Sequence, residues 1–479
     1  MDQPRQETPG ETPLWQWSAA ALARGIADRT ITSRAAVTSC LERIDQVNPT
    51  LNALVEVSGE EALRSADLAD QMVEHGRWLG PLHGVPVSIK DNTDEVGHPN
   101  TGGVVAHAGH VATSDAASTA ALRRAGAVLV GRSNVPAFSF RWVTDNELHG
   151  RTLNPWDAGR TPGGSSGGAA SAVASGMVPV AHGNDIGGSI RYPSFACGLT
   201  GLRPTTGRLA SSGVEGTDFP LSATLFSVEG PLARCNEDLR LAYEALLGAD
   251  VRDSFQAPGA TPPHSRRPRR VGLVRTVGVS DPTPAVDQAL DVAADALRDC
   301  GFTVEDVDVP LLAEAYRLWY LLAIEEIRLI RPTMDALGGA GLRTAMDGVY
   351  AVAADWWGAA PSTEDYVMGY ARRSSLIARL AAVMEDMPFL VTPVSTEQAF
   401  PQDADLTGHD ESRRQAAAQW SQMAVPLLGF PALAVPTGTA DGLPVGVQVL
   451  GRRFDEAGLL DVGAVLEARL GTLTPIDAR

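Results

Sequence analysis

The stretch "TPGGSSGGAASAVASGMVPVAHGNDIGGSIR", Thr161–Arg191, sets two glycine–serine turns around one helix and one strand. "GGAASAVASG" reads as the helix and "VPVAH" as the strand. Glycine at this density permits positive φ and close backbone approach. Three readings compete for the first turn, Thr161–Gly168. A phosphate loop needs a GK[ST] ending and a strand before it, and neither is present. The letters of a GxSxG nucleophile elbow occur at Gly163–Gly167. That motif needs a buried strand before it and a histidine after it, whereas "NPWDAGRT" is no strand, His264 sits in a linker and His409 in a polar stretch. The remaining reading is a tight turn whose serines cap the following helix. The second turn, "GNDIGGSIR" (Gly183–Arg191), lies between the apolar flanks "VPVA" and "YPSFACG", which points to burial. Successive N–H groups in such a turn can converge on one spot and hold an oxyanion.

Upstream, "GVPVSIKDN" (Gly84–Asn92) is a short apolar strand ending on Lys90. Lys90 is the only lysine: of 39 Lys+Arg, 39 − 1 = 38 are arginine. Arginine stays protonated at ordinary pH, while a desolvated lysine can give up its proton. A lone lysine on an inward-running strand therefore fits a general base or a Schiff-base nucleophile, with Asp91 and Asn92 placed to fix its head. Further out, "DAASTAALRRAGA" reads as a helix and "VLVG" as a strand. "RVGLV", "AVDQALDVAADALRDCG" and "FTVEDVDV" follow as strand, helix, strand. The C-terminal part returns to strands in "FLVTPV", "PALAVPTG" and "LPVGVQVLG", then a helix from Asp455. Such alternation predicts one large α/β/α sandwich, a mixed central sheet covered by helices. Residues 1–12 are expected to be a flexible tail. Residues 13–75 read as an N-terminal helical segment, in which "TSRAAVTSCLERIDQVNP" ends at its proline. Residues 76–479 then form the core, with a helical, aromatic-rich insertion around 311–386. "APGATPPHSRRP" (257–268) reads as a linker.

The formal charge of −18 makes nucleic acid an unexpected partner, and "RRPRR" (266–270) reads as solvated linker. The polar start "MDQPRQETPGETP" lacks the pattern of a signal peptide, and no apolar run reaches eighteen residues, so no membrane association is expected. Cys40, Cys197, Cys235 and Cys300 are scattered without a CxxC pair, which suits a reducing cytoplasm. Neither metal nor organic cofactor is expected. The His107/His110 spacing is read as incidental.

"GGSSGG", then 24 residues from Ser165 to Ser189, then "DIGGSIR" resembles the amidase signature family. The resemblance is dense from Pro81 to Arg208, through "GVPVSIKDN", "AGAVLVGRSNVP", "GRTLNPWD" and "YPSFACGLTGLRPTTGR". It extends to "PALAVPTG" and "LPVGVQVLG". It implies the amidase signature fold and a Ser–Ser–Lys triad. Ser189 matches the nucleophile, Ser165 the bridging serine on a cis peptide, and Lys90 the general base. Ile186, Gly187, Gly188 and Ser189 match the oxyanion-hole segment. Ser166 is similar to a supporting serine, and Asp185 and Arg191 look like buried partners of the loop. Many members carry threonine where this chain has Asn184.

The resemblance implies a serine amidohydrolase acting through an acyl-enzyme. Ser139, Phe140, Arg141 and Trp142 match a family segment near the pocket. Five of the seven tyrosines and Trp319, Trp356 and Trp357 fall between Tyr316 and Tyr370. Helix packing is the better reading for any one of them, but together they suit apolar or aryl amides, with esters and aryl carbamates (urethanes) as further substrates. The expected partner is such a small molecule, and the chain is expected to be a monomer or homodimer. Two other classes stay open: a glutaminase-type component of a tRNA-dependent amidotransferase complex, and a non-catalytic anion-binding protein using the glycine loops.

Overall fold

The computed structural model describes residues 12–211, 220–260, 268–473 and 475–479. Residues 1–11 of the expected tail and 261–267 of the expected linker and basic run, with His264, lie outside them. The strands are β1 Leu54–Val57, β2 Pro86–Lys90, β3 Val128–Ser133, β4 Val180–Asp185, β5 Thr200–Arg203 and β6 Val228–Ala233. After them come β7 Arg270–Leu273, β8 Thr303–Asp306, β9 Phe389–Pro393, β10 Ala432–Ala440 and β11 Leu443–Gly451. They form one sheet in the order β1-β3-β2-β4-β6-β5-β10-β11-β9-β7-β8. Pairing is parallel for β2 with β3 and β4, and for β7 with β8 and β9; the other pairs are antiparallel.

Every residue of β2, β3, β9 and β11 is buried, as expected for strands covered on both faces. Alternation splits their side chains between two layers. Val87 and Ile89 belong to the continuous apolar layer that also holds Leu290 and Leu297 of the helix Pro284–Asp299 and Leu459 of the helix Glu456–Leu470. Val128, Val130 and Ala181 pack with Ala169, Ala172 and Val173 of the helix Gly167–Ala174. The architecture is therefore an α/β sandwich. A third cluster holds the helices Leu311–Leu337, Gly339–Trp357, Thr363–Asp386 and Trp420–Leu428 together, and meets the sheet through Leu390, Ala432 and Leu450.

The reading of residues 13–75 as all helix is corrected by β1, an edge strand paired with β3. The preceding helix, Ser33–Leu51, runs two residues past Pro49, and Asn52 stops it with φ +49°. Asn48 then turns the chain into the strand. Its Oδ1 accepts from the Ala53 and Leu54 N–H groups, each at 2.9 Å, and its Nδ2 donates to Leu54 O at 2.8 Å. Four residues flanked by strong helices carry too little period-two signal to be seen. β5 and β6 and the helix Arg191–Cys197 are likewise silent in the sequence pattern.

Candidate active site

β2 and β4 run parallel and side by side, so their carboxyl ends share one edge of the sheet. Open α/β sheets bind ligands at that edge. β2 ends on Lys90, and β4 ends on Asn184 and Asp185 before the turn Ile186–Ser189. The Lys90 side chain is fully buried. Its Nζ donates to Ser165 Oγ and to Asn184 Oδ1, each at 2.7 Å. Among the described residues no carboxylate pairs with it. Burial pushes its pKa down from 10.5 to about 7, against the pull of the Glu229 and Asp185 carboxylates.

Asp91, expected at the lysine head, instead accepts from Arg132 Nε at 3.1 Å and from Thr101 Oγ1. Its place is taken by Asn184, which stands out in the sequence only as a departure from the family pattern. Asn92 does take part, one step removed. It accepts from Asn184 Nδ2 at 3.0 Å and donates to Ser139 Oγ at 3.0 Å.

Ser165 follows a cis peptide bond from Gly164 and lies just before the Gly167–Ala174 helix. Gly163 has φ +84°, and a Cβ there would lie 2.6 Å from Pro193 Cα, so the turn closes tightly on the next helix. Ser166 occupies the helix N-cap, but its side chain makes no capping bond. Its Oγ is buried without a hydrogen-bond partner among the described residues.

The second turn is held from below by Asp185. Its carboxylate accepts from Arg191 Nε and Nη2 at 2.9 and 3.0 Å and from the Gly188 and Ile190 N–H groups at 3.0 and 3.2 Å. Arg203 adds a second guanidinium at 3.4 Å. Burial alone would raise the Asp185 pKa, but Arg191 and Arg203 hold it well below the usual carboxylate range. Arg191 also reaches Gln448 Oε1 and Gln422 O, so no donor pair of its fork points into empty space.

Two indoles hold the turn from the other side. Trp319 Nε1 donates to Ile186 O at 2.9 Å, and Trp142 Nε1 to Gly187 O at 3.2 Å. In a trans peptide the C=O and the following N–H point opposite ways. The Trp319 bond therefore turns the Gly187 N–H away from that indole. The Gly187–Gly188 plane is gripped on both edges, by Trp142 on the carbonyl and Asp185 on the N–H. Gly188 was expected among four oxyanion donors; its N–H is spent on Asp185. The N–H groups of Ile186, Gly187 and Ser189 have no acceptor among the described residues.

Ser189 lines a cavity of about 390 Å³ together with Ile186, Gly187 and the expected segment Ser139, Phe140, Arg141 and Trp142. No hydrogen bond joins Ser189 to Ser165 among the described residues. The outer wall is helical. Trp319, Ala323, Glu326 and Ile330 recur at i, i+4, i+7 and i+11 along the 311–337 helix and all face the cavity. Val349 and Val352 of the 339–357 helix continue the wall.

The aromatic cluster contributes less than its sequence density suggested. Of the five tyrosines only Tyr320 reaches the wall. Tyr316 packs edge-on against Tyr320 and Trp356. Tyr366 and Tyr370 stand behind the wall with their hydroxyls on Glu326. Arg141 is paired through two hydrogen bonds, Nε and Nη2 donating to Asp405 at 2.7 and 2.8 Å. Trp319 and Glu326 were not singled out as site residues from sequence. The helical stripe they share with Ala323 and Ile330 is the signal that places them together.

Among the described residues no group of three His, Cys, Asp or Glu side chains is placed to hold a metal ion. No described helix is long and apolar enough to cross a membrane.

Comparison with known proteins gives one consistent picture. The family model Amidase matches residues 35–460. An indoleacetamide hydrolase of Bradyrhizobium diazoefficiens is 38% identical over 469 residues, 96% of this chain and 88% of that protein. A component of the glutamyl-tRNA(Gln) amidotransferase of Chloroflexus aurantiacus is 34% identical over 486 residues, 94% of this chain and 96% of that protein. Among solved structures, a bacterial aryl acylamidase of the amidase signature family superposes with a TM-score of 0.81 at 26% identity, covering 96% of this chain and 97% of the other.

Proposed function

This chain belongs to the amidase family, and from that premise we propose that it hydrolyses the C–N bond of an apolar or aryl amide through an acyl-enzyme on Ser189. One observation carries the reading. The only lysine is fully buried without an ion-pair partner among the described residues, and its Nζ touches Ser165 Oγ at 2.7 Å. A neutral Lys90 can accept the Ser165 proton while Ser165 accepts that of Ser189. Ser189 Oγ then attacks the carbonyl carbon, and the N–H groups of Ile186, Gly187 and Ser189 receive the oxyanion. The proton returns along the same relay to the leaving amine, and water repeats the sequence to release the acid. The relay requires Ser189 Oγ to come within hydrogen-bond distance of Ser165; such contacts commonly tighten only with substrate in place.

The wall supports the substrate class. Phe138, Phe140, Trp142, Trp319 and Tyr320 surround a volume in the range of small-molecule sites. Esters and aryl carbamates present the same carbonyl geometry and are expected to be cleaved as well. Against a glutaminase role, a bound glutamine would bring an α-carboxylate. The one cationic side chain among the described wall residues, Arg141, is already neutralised by Asp405.

The test is a panel of p-nitroanilides with aryl, alkyl and amino-acid acyl groups, run beside glutamine, with Ser189→Ala as control. Aryl and alkyl anilides should be hydrolysed, and a fluorophosphonate should label Ser189. Glutamine turnover without anilide turnover, or no labelling, overturns the reading.

A further inference from the structure

We propose that Glu326 makes the pocket select by charge, accepting neutral or cationic acyl groups and rejecting anionic ones. This deepens the reading above and rests on it for the identity of the reaction. Among the described residues the cavity wall carries three charged side chains: Arg141, Asp405 and Glu326. Arg141 and Asp405 cancel through two hydrogen bonds. Glu326 has no lysine, arginine or histidine within ion-pair distance among the described residues. Lys90 does not offset it, because its side chain lies outside the wall and is neutral when it serves as a base.

Glu326 is held by neutral donors alone. One oxygen accepts from the Tyr366 and Tyr370 hydroxyls, the latter at 2.9 Å. The other accepts from the Ser222 N–H at 2.7 Å and from the Ser222 hydroxyl. Such donors fix a carboxylate in place without supplying an opposite charge. The residue is 8% exposed, so little water screens it from the cavity. An apolar wall strengthens any interaction with a charge brought alongside.

The helix itself measures the reach. Trp319 is bonded to the turn that ends at Ser189, and Glu326 lies seven residues further along the same helix. Seven residues rise about 10 Å. The carboxylate therefore stands toward the far end of the acyl chain rather than at the reacting carbonyl, so it governs which substrate enters and leaves the chemistry alone. Discrimination of this kind works by repulsion as much as attraction.

The experiment compares anilides of three six-carbon acyl chains of equal length, ending in methyl, ammonium or carboxylate. With the wild-type enzyme, kcat/KM for the carboxylate-ended chain should fall at least about tenfold below the methyl-ended chain, and the ammonium-ended chain should equal or exceed it. Glu326→Gln keeps an acceptor for the tyrosines and should bring the methyl and carboxylate chains to within about threefold of each other. Equal treatment of all three chains by the wild type, or an unchanged gap in Glu326→Gln, overturns the proposal.

Because Glu326 also ties neighbouring helices together, a second measurement avoids that variant. The corresponding primary amides are titrated by calorimetry into Ser189→Ala, where binding alone is read. Ranked binding with no anilide turnover by the wild type would leave the charge selection standing and discard the proposed reaction. Unranked binding with normal turnover would do the reverse.

Discussion

The floor and the outer wall of the cavity treat charge in opposite ways. On the floor, where β2 and β4 end, each charge is cancelled or withdrawn. Asp185 meets two guanidiniums, and Lys90 is pushed toward its neutral form by burial. On the wall, Glu326 is left with hydroxyls and an N–H but no counter-charge among the described residues. The proposed relay runs the same proton transfers on every substrate, so the floor pairs its permanent charges and leaves Lys90 close enough to neutral to take up and return a proton. In the proposed reading the wall only has to tell one acyl group from another, and a residual charge would do that.

The strongest way to break this contrast is at the floor. Lys90→Arg keeps a cation and its donors but removes the ability to accept a proton. Initial rates should fall by about 10³-fold or more, as for Ser189→Ala. In the wild type, kcat/KM should rise with pH through about 7, as Lys90 loses its proton, and level off above. A Lys90→Arg enzyme of ordinary rate, or a falling profile, would mean that the lysine charge itself is used.

Next in size is the cancelled pair. Arg191→Met strips Asp185 of two hydrogen bonds and leaves the buried carboxylate with Arg203 as its one remaining guanidinium. Removing one partner of a buried pair costs about 3–5 kcal/mol, readable in urea unfolding. A cost near zero would show that Arg203 suffices.

Lys90→Met probes the withdrawn charge. The folded pKa of about 7 lies below the unfolded 10.5. The unfolded chain therefore binds the extra proton between those values, and stability rises with pH across the interval. The cost of burying the lysine is complete below pH 7 and gone above 10.5. Lys90→Met should then be the more stable protein at neutral pH, on the order of a few kcal/mol since each pKa unit is worth about 1.4 kcal/mol. That gain should shrink as pH climbs toward 10.5. A gain independent of pH would point to packing instead.

The smallest effect belongs to the junction between the two regions. Trp319→Phe removes the N–H to Ile186 O while keeping most of the ring. A single hydrogen bond is worth about 0.5–1.5 kcal/mol, so kcat should drop roughly three- to tenfold with KM little moved. A change confined to KM, and only for bulky acyl groups, would make the indole wall and nothing more.

The floor was far more legible in the sequence than the wall, for physical reasons. Its parts are short glycine–serine turns and a lone lysine at a strand end, each dictated by local backbone geometry. Residues 161–191 therefore pointed to β4, its preceding helix and both turns. Asn184 showed only as an oddity, because its role depends on a strand 94 residues away in the chain. The wall is set by helix packing, where many apolar residues can fill one space. Aromatic density thus overstated the tyrosines: Tyr316 and Tyr350 are used for packing, and Tyr366 and Tyr370 anchor Glu326 from behind. Glu326 itself stood beside Glu325 in "AIEEIRLI", and only the helical stripe through Trp319, Ala323 and Ile330 separates the inward acid from the outward one.

The bond from Trp319 to Ile186 has a consequence for anyone exchanging parts between relatives. A chimera that receives a foreign 311–337 helix imports more than a new acyl pocket. Unless the donor helix carries a hydrogen-bond donor at the position of Trp319, the graft frees the carbonyl that sets the orientation of the Gly187 N–H. Such a hybrid would turn over every substrate several-fold more slowly, including those its new pocket fits, and restoring one indole would be the economical repair.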